Sequence, residues 1–208
     1  MNDLYALFRH SLAGLRALVL MTLVLGLAYP LAVTGVAQVA LPWQANGSLV
    51  DASGNRVTDA GSAVGSALLG QRTDGTDLFH PRPSAAGDGW DPLNTYGSNL
   101  GPESPDLVAS IEERRAQVAE RDGVAPGAVP PDAVTASGSG LDPDISPAYA
   151  DQQVARVARA NGLSVREVQR LVEDNTSGRT LGFLGEPRVN VLELNIDVLR
   201  ASSVSAQG

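Results

Sequence analysis

The densest group of side chains able to do chemistry runs from Thr135 to Pro147, Thr-Ala-Ser-Gly-Ser-Gly-Leu-Asp-Pro-Asp-Ile-Ser-Pro. Hydroxyls, glycines and two carboxylates in one stretch raise the question of a phosphate cradle, a serine nucleophile or a calcium loop. A phosphate cradle needs glycines feeding a helix N-terminus and usually a Lys, and the chain contains no Lys. A nucleophile elbow, Gly-x-Ser-x-Gly, fails because Ser137 stands two positions before Ser139, where the glycine belongs. Asp142-Pro143-Asp144 opens like an EF-hand, but Pro147 takes the sixth position, which needs glycine for its sharp turn. Two readings remain: a hydrogen-bonded loop that ends in a helix N-cap at Ser146, or a docking loop. Phe79-His80-Pro81-Arg82-Pro83-Ser84 reads as a rigid turn. Two His and no Cys exclude an ordinary structural zinc site, thiolate chemistry and disulfides. No acid, base and oxyanion site come together, so the sequence predicts a chain without catalytic residues or bound metal and identifies no cofactor-binding residue.

The element that positions everything else is an uncharged run of 25 residues, Ala17 to Leu41. As a helix at ~1.5 Å per residue it reaches ~37 Å, enough to cross a ~30 Å hydrocarbon core with some tilt. Its 12 Leu and Val residues favour insertion by on the order of 5 kcal/mol in sum. A secretory signal shares the basic start, but its apolar centre spans only about 7–15 residues; cleavage near Gly35-Val36-Ala37 is the alternative. A soluble core helix would not be apolar on every face. Arg9 and Arg16 precede the run, and no basic residue follows until Arg56. This asymmetry predicts residues 1–16 in the cytoplasm, 17–41 across the cell membrane and 42–208 as one extracytoplasmic domain. Gly26, Pro30 and Gly35 are tolerated in membrane helices where neighbours repack around them, and Tyr29-Pro30 at mid-span predicts a kink fitted to a partner.

Beyond Leu41 the chain carries 13 Arg against 22 Asp and Glu, a net charge of −9. That balance opposes binding to nucleic acid or to an anionic lipid surface and suits contact with cations or a basic partner. About 166 residues suffice for one domain with a modest core. The patterning predicts an α+β fold. Ser48-Leu49-Val50 and Val57, separated by Ser53-Gly54-Asn55, read as a hairpin or meander, and Val64 to Gln71 as a strand entering a turn. Residues 72–102 are irregular, and a loop that long is functional or docked on something. Three helices follow. Ser104-Pro105 opens the first, with Leu107, Val108, Ile111 and Val118 as its stripe and Gly123 beyond its end. Ser146-Pro147 opens the second, which stops at Asn161-Gly162. Ser164 with Glu167 makes a capping box for the third, and the short gap folds the last two into a hairpin. Residues 190–199 fit strand or helix, with a helix after a short strand preferred.

The combination of these segments resembles the C subunit of the bacterial Kdp-type high-affinity potassium-transporting ATPase, over nearly the whole chain. The residues that carry it are Tyr29-Pro30, Gly65-Ser66 through Gly70-Gln71, Arg82-Pro83-Ser84-Ala85, Gly97-Ser98-Asn99-Leu100-Gly101-Pro102, Thr135 to Pro147, Gln153, and Leu181-Gly182 through Asn195. The chain departs from the family pattern at Asp144, at Trp90-Asp91-Pro92-Leu93-Asn94 and in lacking a second glycine beside Gly97. The resemblance implies an accessory subunit of an ATP-driven K⁺ import complex. Its partners would be a channel-like potassium-binding subunit, a P-type ATPase subunit that hydrolyses ATP, a small single-span subunit and membrane lipid. ATP and K⁺ would then be handled by the complex, and the family is described as raising the ATPase subunit's affinity for nucleotide. Tyr29, Pro30, Arg82, Asn99, Ser137, Asp142 and Gln153 are the expected docking residues. The rival from another class is a membrane-anchored extracytoplasmic enzyme such as a cell-wall hydrolase, which needs an acid–base pair within residues 72–147, with His80 and Asp142 as the candidates.

Overall fold

The computed structural model describes residues 2–205, which form two compact units divided after Gly47. In the first unit, helix α1 (Asn2–Leu23) runs through a π turn (Val24–Ala28) into α2 (Tyr29–Ala40). The stretch Leu4–Ala40 is long and apolar enough to cross a membrane, and none of its most apolar window is buried. The helix therefore starts well before Ala17 and carries Arg9 and Arg16 on its first turns. Pro30 has no amide to give the carbonyl four residues back, and its ring crowds that carbonyl. The chain relieves this by widening the preceding turn, so that the Tyr29 N–H reaches the Val24 carbonyl five residues back. The disruption expected as a kink thus takes the form of a π turn. Past Leu41 a short helix α3 (Pro42–Ala45) follows. Asn46 closes this exit by donating to the Pro42 carbonyl (2.6 Å) and to Gln38 Oε1 (3.1 Å).

The second unit is α+β. Its first sheet has the order β2-β1-β3, from β1 (Leu49–Asp51), β2 (Arg56–Val57) and β3 (Ala63–Ser66), all antiparallel. The predicted hairpin forms because Asp51 Oδ1 accepts from the amides of Ser53 and Asn55, which fixes the turn locally. Helix α4 (Pro105–Asp122) has Pro105 at its first position and ends on Gly123 in the left-handed region (φ 70°). Ser104 takes the expected place, yet its side chain makes no capping bond. Of the predicted stripe only Val118 is buried, with Ala119 beside it; Ile111 is half-buried against the core and Val108 is 47% exposed.

Strand β4 (Asp144–Ile145) leads into α5 (Pro147–Asn161), where Ser146 Oγ accepts from the Tyr149 amide and Gly162 (φ 65°) ends the helix. Helix α6 (Val165–Asp174) has the complete capping box of Ser164 and Glu167 and packs on α5 as the predicted hairpin. Strands β5 (Thr176–Ser177) and β6 (Arg188–Asn190) complete a second antiparallel sheet, β4-β6-β5, with Ile145 opposite Val189. Helix α7 (Val191–Ser205) follows β6 directly, and Asn190 Oδ1 accepts from the Glu193 amide at its start. The helix-after-strand reading of this ambiguous segment is the one the chain adopts. One core joins α5, α6 and α7 through Tyr149, Val154, Val157, Val168, Leu194 and Val198.

Candidate functional site

Residues 72–102 form no strand or helix, so their backbone groups need partners from elsewhere. Side chains of the helices supply them. Asn195 accepts from the Phe79 amide (2.7 Å) and donates to the Phe79 carbonyl (2.9 Å). Gln153 does the same for His80, at 2.8 and 3.2 Å. Arg156 donates to the carbonyls of Thr76 and Leu78, and Asn161 to that of Asp77. Phe79 itself is fully buried. The loop is therefore docked on its own domain, threaded as a pseudo-strand held by amide and guanidinium side chains.

Residues 82–97 of the loop, with Gly70 just before it, lie against residues 135–142 through close backbone contact. The Gly70 amide donates to the Leu141 carbonyl (2.8 Å) and the Ser137 amide to that of Pro83 (3.2 Å). A Cβ at Gly97 would stand 2.9 Å from the Gly138 carbonyl oxygen, and one at Gly140 would collide with Ala86. Ser84 Oγ donates to the Gly140 carbonyl (2.6 Å) and accepts from the amides of Ala86 and Trp90. Arg82 pairs with Asp142 at 2.9 Å, each about one-quarter to one-third exposed. The stretch 135–147 is thus a hydrogen-bonded loop ending in an N-cap, welded to residues 82–97.

Beneath it lies a charged hub. The Asp122 side chain is wholly buried and accepts from Arg121, Arg156 and Gln152. Burial opposes its ionisation, but the bonds and charge of Arg121, with those of Gln152 and Arg156, outweigh it and hold the carboxyl below the ordinary aspartate range. Arg121 also donates to the Tyr149 hydroxyl (3.0 Å). The His80 ring hydrogen-bonds the Gly75 carbonyl (2.8 Å). Burial, then the nearby Arg121 charge, push its pKa down to about 4. A depressed histidine stabilises the fold in its neutral form, so this contribution is complete above pH ~6.5 and declines as pH falls towards about 4. NMR titration should find His80 neutral at pH 6; a midpoint near 6.5 would contradict the burial argument.

His80 and Asp142, the acid–base pair a hydrolase would need, share no partner: one bonds Gly75, the other Arg82. Among the described residues no group of His, Asp or Glu is arranged to hold a metal ion. What the domain does offer outward is apolar. After β5 the chain forms a finger, closed by paired bonds between Thr180 and Leu184 and by an Arg179–Glu186 ion pair. Its tip exposes Leu181 (79%), Phe183 (68%) and Leu184 (50%), with Leu181 in the left-handed region (φ 55°). An apolar groove of about 440 Å³ runs beside α7, lined by Val64, Leu69, Leu78, Val191, Ile196 and Leu199.

Residues 11–200 match the family model described as the K⁺-transporting ATPase, c chain. The chain belongs to the KdpC family. Relatives named potassium-transporting ATPase KdpC subunit include that of Kineococcus radiotolerans, 54% identical over 94% of this chain and 96% of the relative. Those of Beijerinckia indica (50%; 91% and 93%) and Mycobacterium tuberculosis (49%; 90% and 96%) are close behind. Of the expected KdpC docking residues, Arg82, Ser137 and Asp142 come together at the weld between the two loops. Asn99 sits exposed at the end of the long loop with a positive φ of 53°. Tyr29 is 62% exposed, at the π turn with Pro30. Gln153 is different: fully buried, it offers no surface and acts as an internal tether. Nothing in the sequence pattern marks Asp122, Arg156, Asn161 or Asn195 as tethers or as part of a buried charged hub. Their one local signal is a polar residue set inside an otherwise apolar helical stripe, as Asn195 is between Leu194 and Ile196.

Proposed function

We propose that this chain is a non-catalytic accessory subunit of an ATP-driven potassium import complex, anchored by its N-terminal helix with residues 42–208 outside the cytoplasm. The observation that carries this reading is the family match over residues 11–200, joined to a helix fit to cross a membrane. Its partners are a channel-like potassium-binding subunit, a P-type ATPase subunit and a small single-span subunit. In this reading the domain caps the external entrance of the potassium-binding subunit. Its net charge of −9 raises the local K⁺ concentration over the ~8–10 Å that salt allows. An extracytoplasmic domain cannot reach a cytoplasmic ATP site, so any gain in nucleotide affinity is coupled through the membrane subunits.

The apolar finger is the proposed contact, since burying Leu181, Phe183 and Leu184 in a partner is worth on the order of 3–5 kcal/mol. Replacing Leu181 and Phe183 together with Ser should leave chain stability within about 0.5 kcal/mol of wild type, as for most exposed positions. It should sharply reduce the membrane ATPase recovered by detergent pull-down on the tagged chain. Full recovery with the double substitution would remove the finger from the interface. Absence of any co-purifying ATPase with the wild-type chain would overturn the functional reading itself.

A further inference from the structure

The π turn before Pro30 leaves the Leu25 carbonyl without its usual partner. In a regular helix the Leu25 carbonyl would accept from the amide of Tyr29, four residues on; here the Tyr29 N–H is given to Val24. In a continuing π turn it would accept from residue 30, but Pro30 has no N–H. Leu25 lies eight residues into the uncharged run, ~12 Å from one end and ~24 Å from the other at ~1.5 Å per residue. That depth is inside a ~30 Å hydrocarbon layer, where no water is at hand to satisfy a carbonyl. Between Thr22 and Thr34 the only polar side chain is Tyr29, whose hydroxyl stands a full ring away from the backbone. The site is also open. Gly26 has no side chain, a Cβ placed there would meet only Thr22 Cγ2 at 3.8 Å, and Ala28 carries a single methyl.

We propose that the Leu25 carbonyl is an acceptor for a hydrogen bond donated by a hydroxyl, amide or indole side chain on a transmembrane helix of a partner subunit, seated over Gly26 and Ala28. The inference deepens the reading that this span sits in a multisubunit complex and rests on it. It gives Pro30 a task other than bending the helix: it withholds a donor, so that the carbonyl stays free until a partner supplies one. A partner helix without a donor would leave the orphan in place, so the same device selects among neighbours.

The chain has only five Leu-Gly pairs, at 25–26, 69–70, 100–101, 181–182 and 184–185. Full-length chain labelled with carbonyl-¹³C Leu and ¹⁵N Gly therefore yields five pair-filtered signals in solid-state NMR, with Leu25 assigned by its loss in Gly26→Ala. For the chain alone in bilayers, the Leu25 carbonyl should resonate upfield of its position in Pro30→Ala, where residue 30 regains a donor. Assembly with the other subunits should move the wild-type signal downfield to the Pro30→Ala position. Pro30→Ala should also lower recovery of those subunits by roughly fivefold. Identical Leu25 shifts in the isolated wild-type and Pro30→Ala chains, or no movement on assembly, would overturn the proposal while leaving the accessory-subunit reading intact. A downfield move produced by raising the density of the isolated chain would also overturn it, because the donor would then come from a second copy.

Discussion

Asp122→Ala should destabilise the chain by about 3–5 kcal/mol, the cost typical of removing one member of a buried ion pair. Asp122 is wholly buried and, among the described residues, is the only carboxylate paired with the Arg156 guanidinium, whose side chain is 7% exposed. Removing it leaves that charge inside the domain opposed only by neutral acceptors: the Gln153 amide and the carbonyls of Thr76 and Leu78. Asp122→Asn keeps the shape but puts an NH₂ or a neutral oxygen against two arginines, and should recover only part of the loss. Urea unfolding of the detergent-solubilised chain, followed by tryptophan fluorescence, measures both variants. A loss below about 1 kcal/mol would mean that Arg156 finds water in the folded state.

The same hub sets an acid limit. The Asp122 carboxyl is held below its usual 3.8, because the arginine and amide bonds outweigh the burial that opposes its charge. A depressed acid stabilises the fold in its ionised form. This contribution is complete well above pH 3.8 and is lost as pH falls below 3.8 through the folded-state value. His80 adds its own loss between about 6.5 and 4, so stability should fall first through that range and again below it on acidification. Asp122→Asn should shrink the lower fall, which Asp51, Asp91 and Glu167, also held below their ordinary values, share.

How much of this was readable beforehand depends on the range of the signal. Capping residues act on amides three residues away, and so the ends of α5 and α6 were legible at Ser146, Gly162, Ser164 and Glu167. The apolar span was legible for the same reason, since composition alone decides it. The 190–199 segment was ambiguous because its buried face, Val191, Leu194, Asn195 and Val198, keeps the helical spacing but includes a polar residue, while Leu192, Leu194, Ile196 and Val198 also alternate as in a strand. Leu199, one of the residues that fitted the helical pattern, turned out to be 48% exposed. The site was partly legible. The glycines and hydroxyls of 135–142 marked a loop in close backbone contact, but nothing local showed that its partner was residues 70–97. The tethers were illegible, because Asn195 and Phe79 lie 116 positions apart. An amide grips any backbone it meets, with no sequence preference that pattern reading could detect.

Those tethers lead to the second large effect, at Asn195. Its side chain satisfies both the amide and the carbonyl of Phe79, a residue with no exposed surface. Asn195→Ala leaves two buried backbone groups unpaired, each costing about 1–3 kcal/mol, so a loss of about 2–5 kcal/mol is expected. Asn195→Leu fills the volume but satisfies neither group and should not rescue it. Because Gln153 still holds His80 and Arg156 still holds Thr76 and Leu78, the loop should loosen around Phe79 before the domain unfolds. Hydrogen exchange should then show faster exchange at residues 76–82 while α5 and α6 remain protected. Proteolysis should cut the same stretch in the variant and spare it in wild type. Uniform loss of protection across the domain would mean instead that the loop and the helical core open as one unit. The distinction bears on function, since residues 82–97 are welded to the 135–142 loop that carries Ser137 and Asp142. A tether that opens separately lets the two welded loops deform without unfolding the helices beneath them; one that opens only with the core makes them a rigid surface.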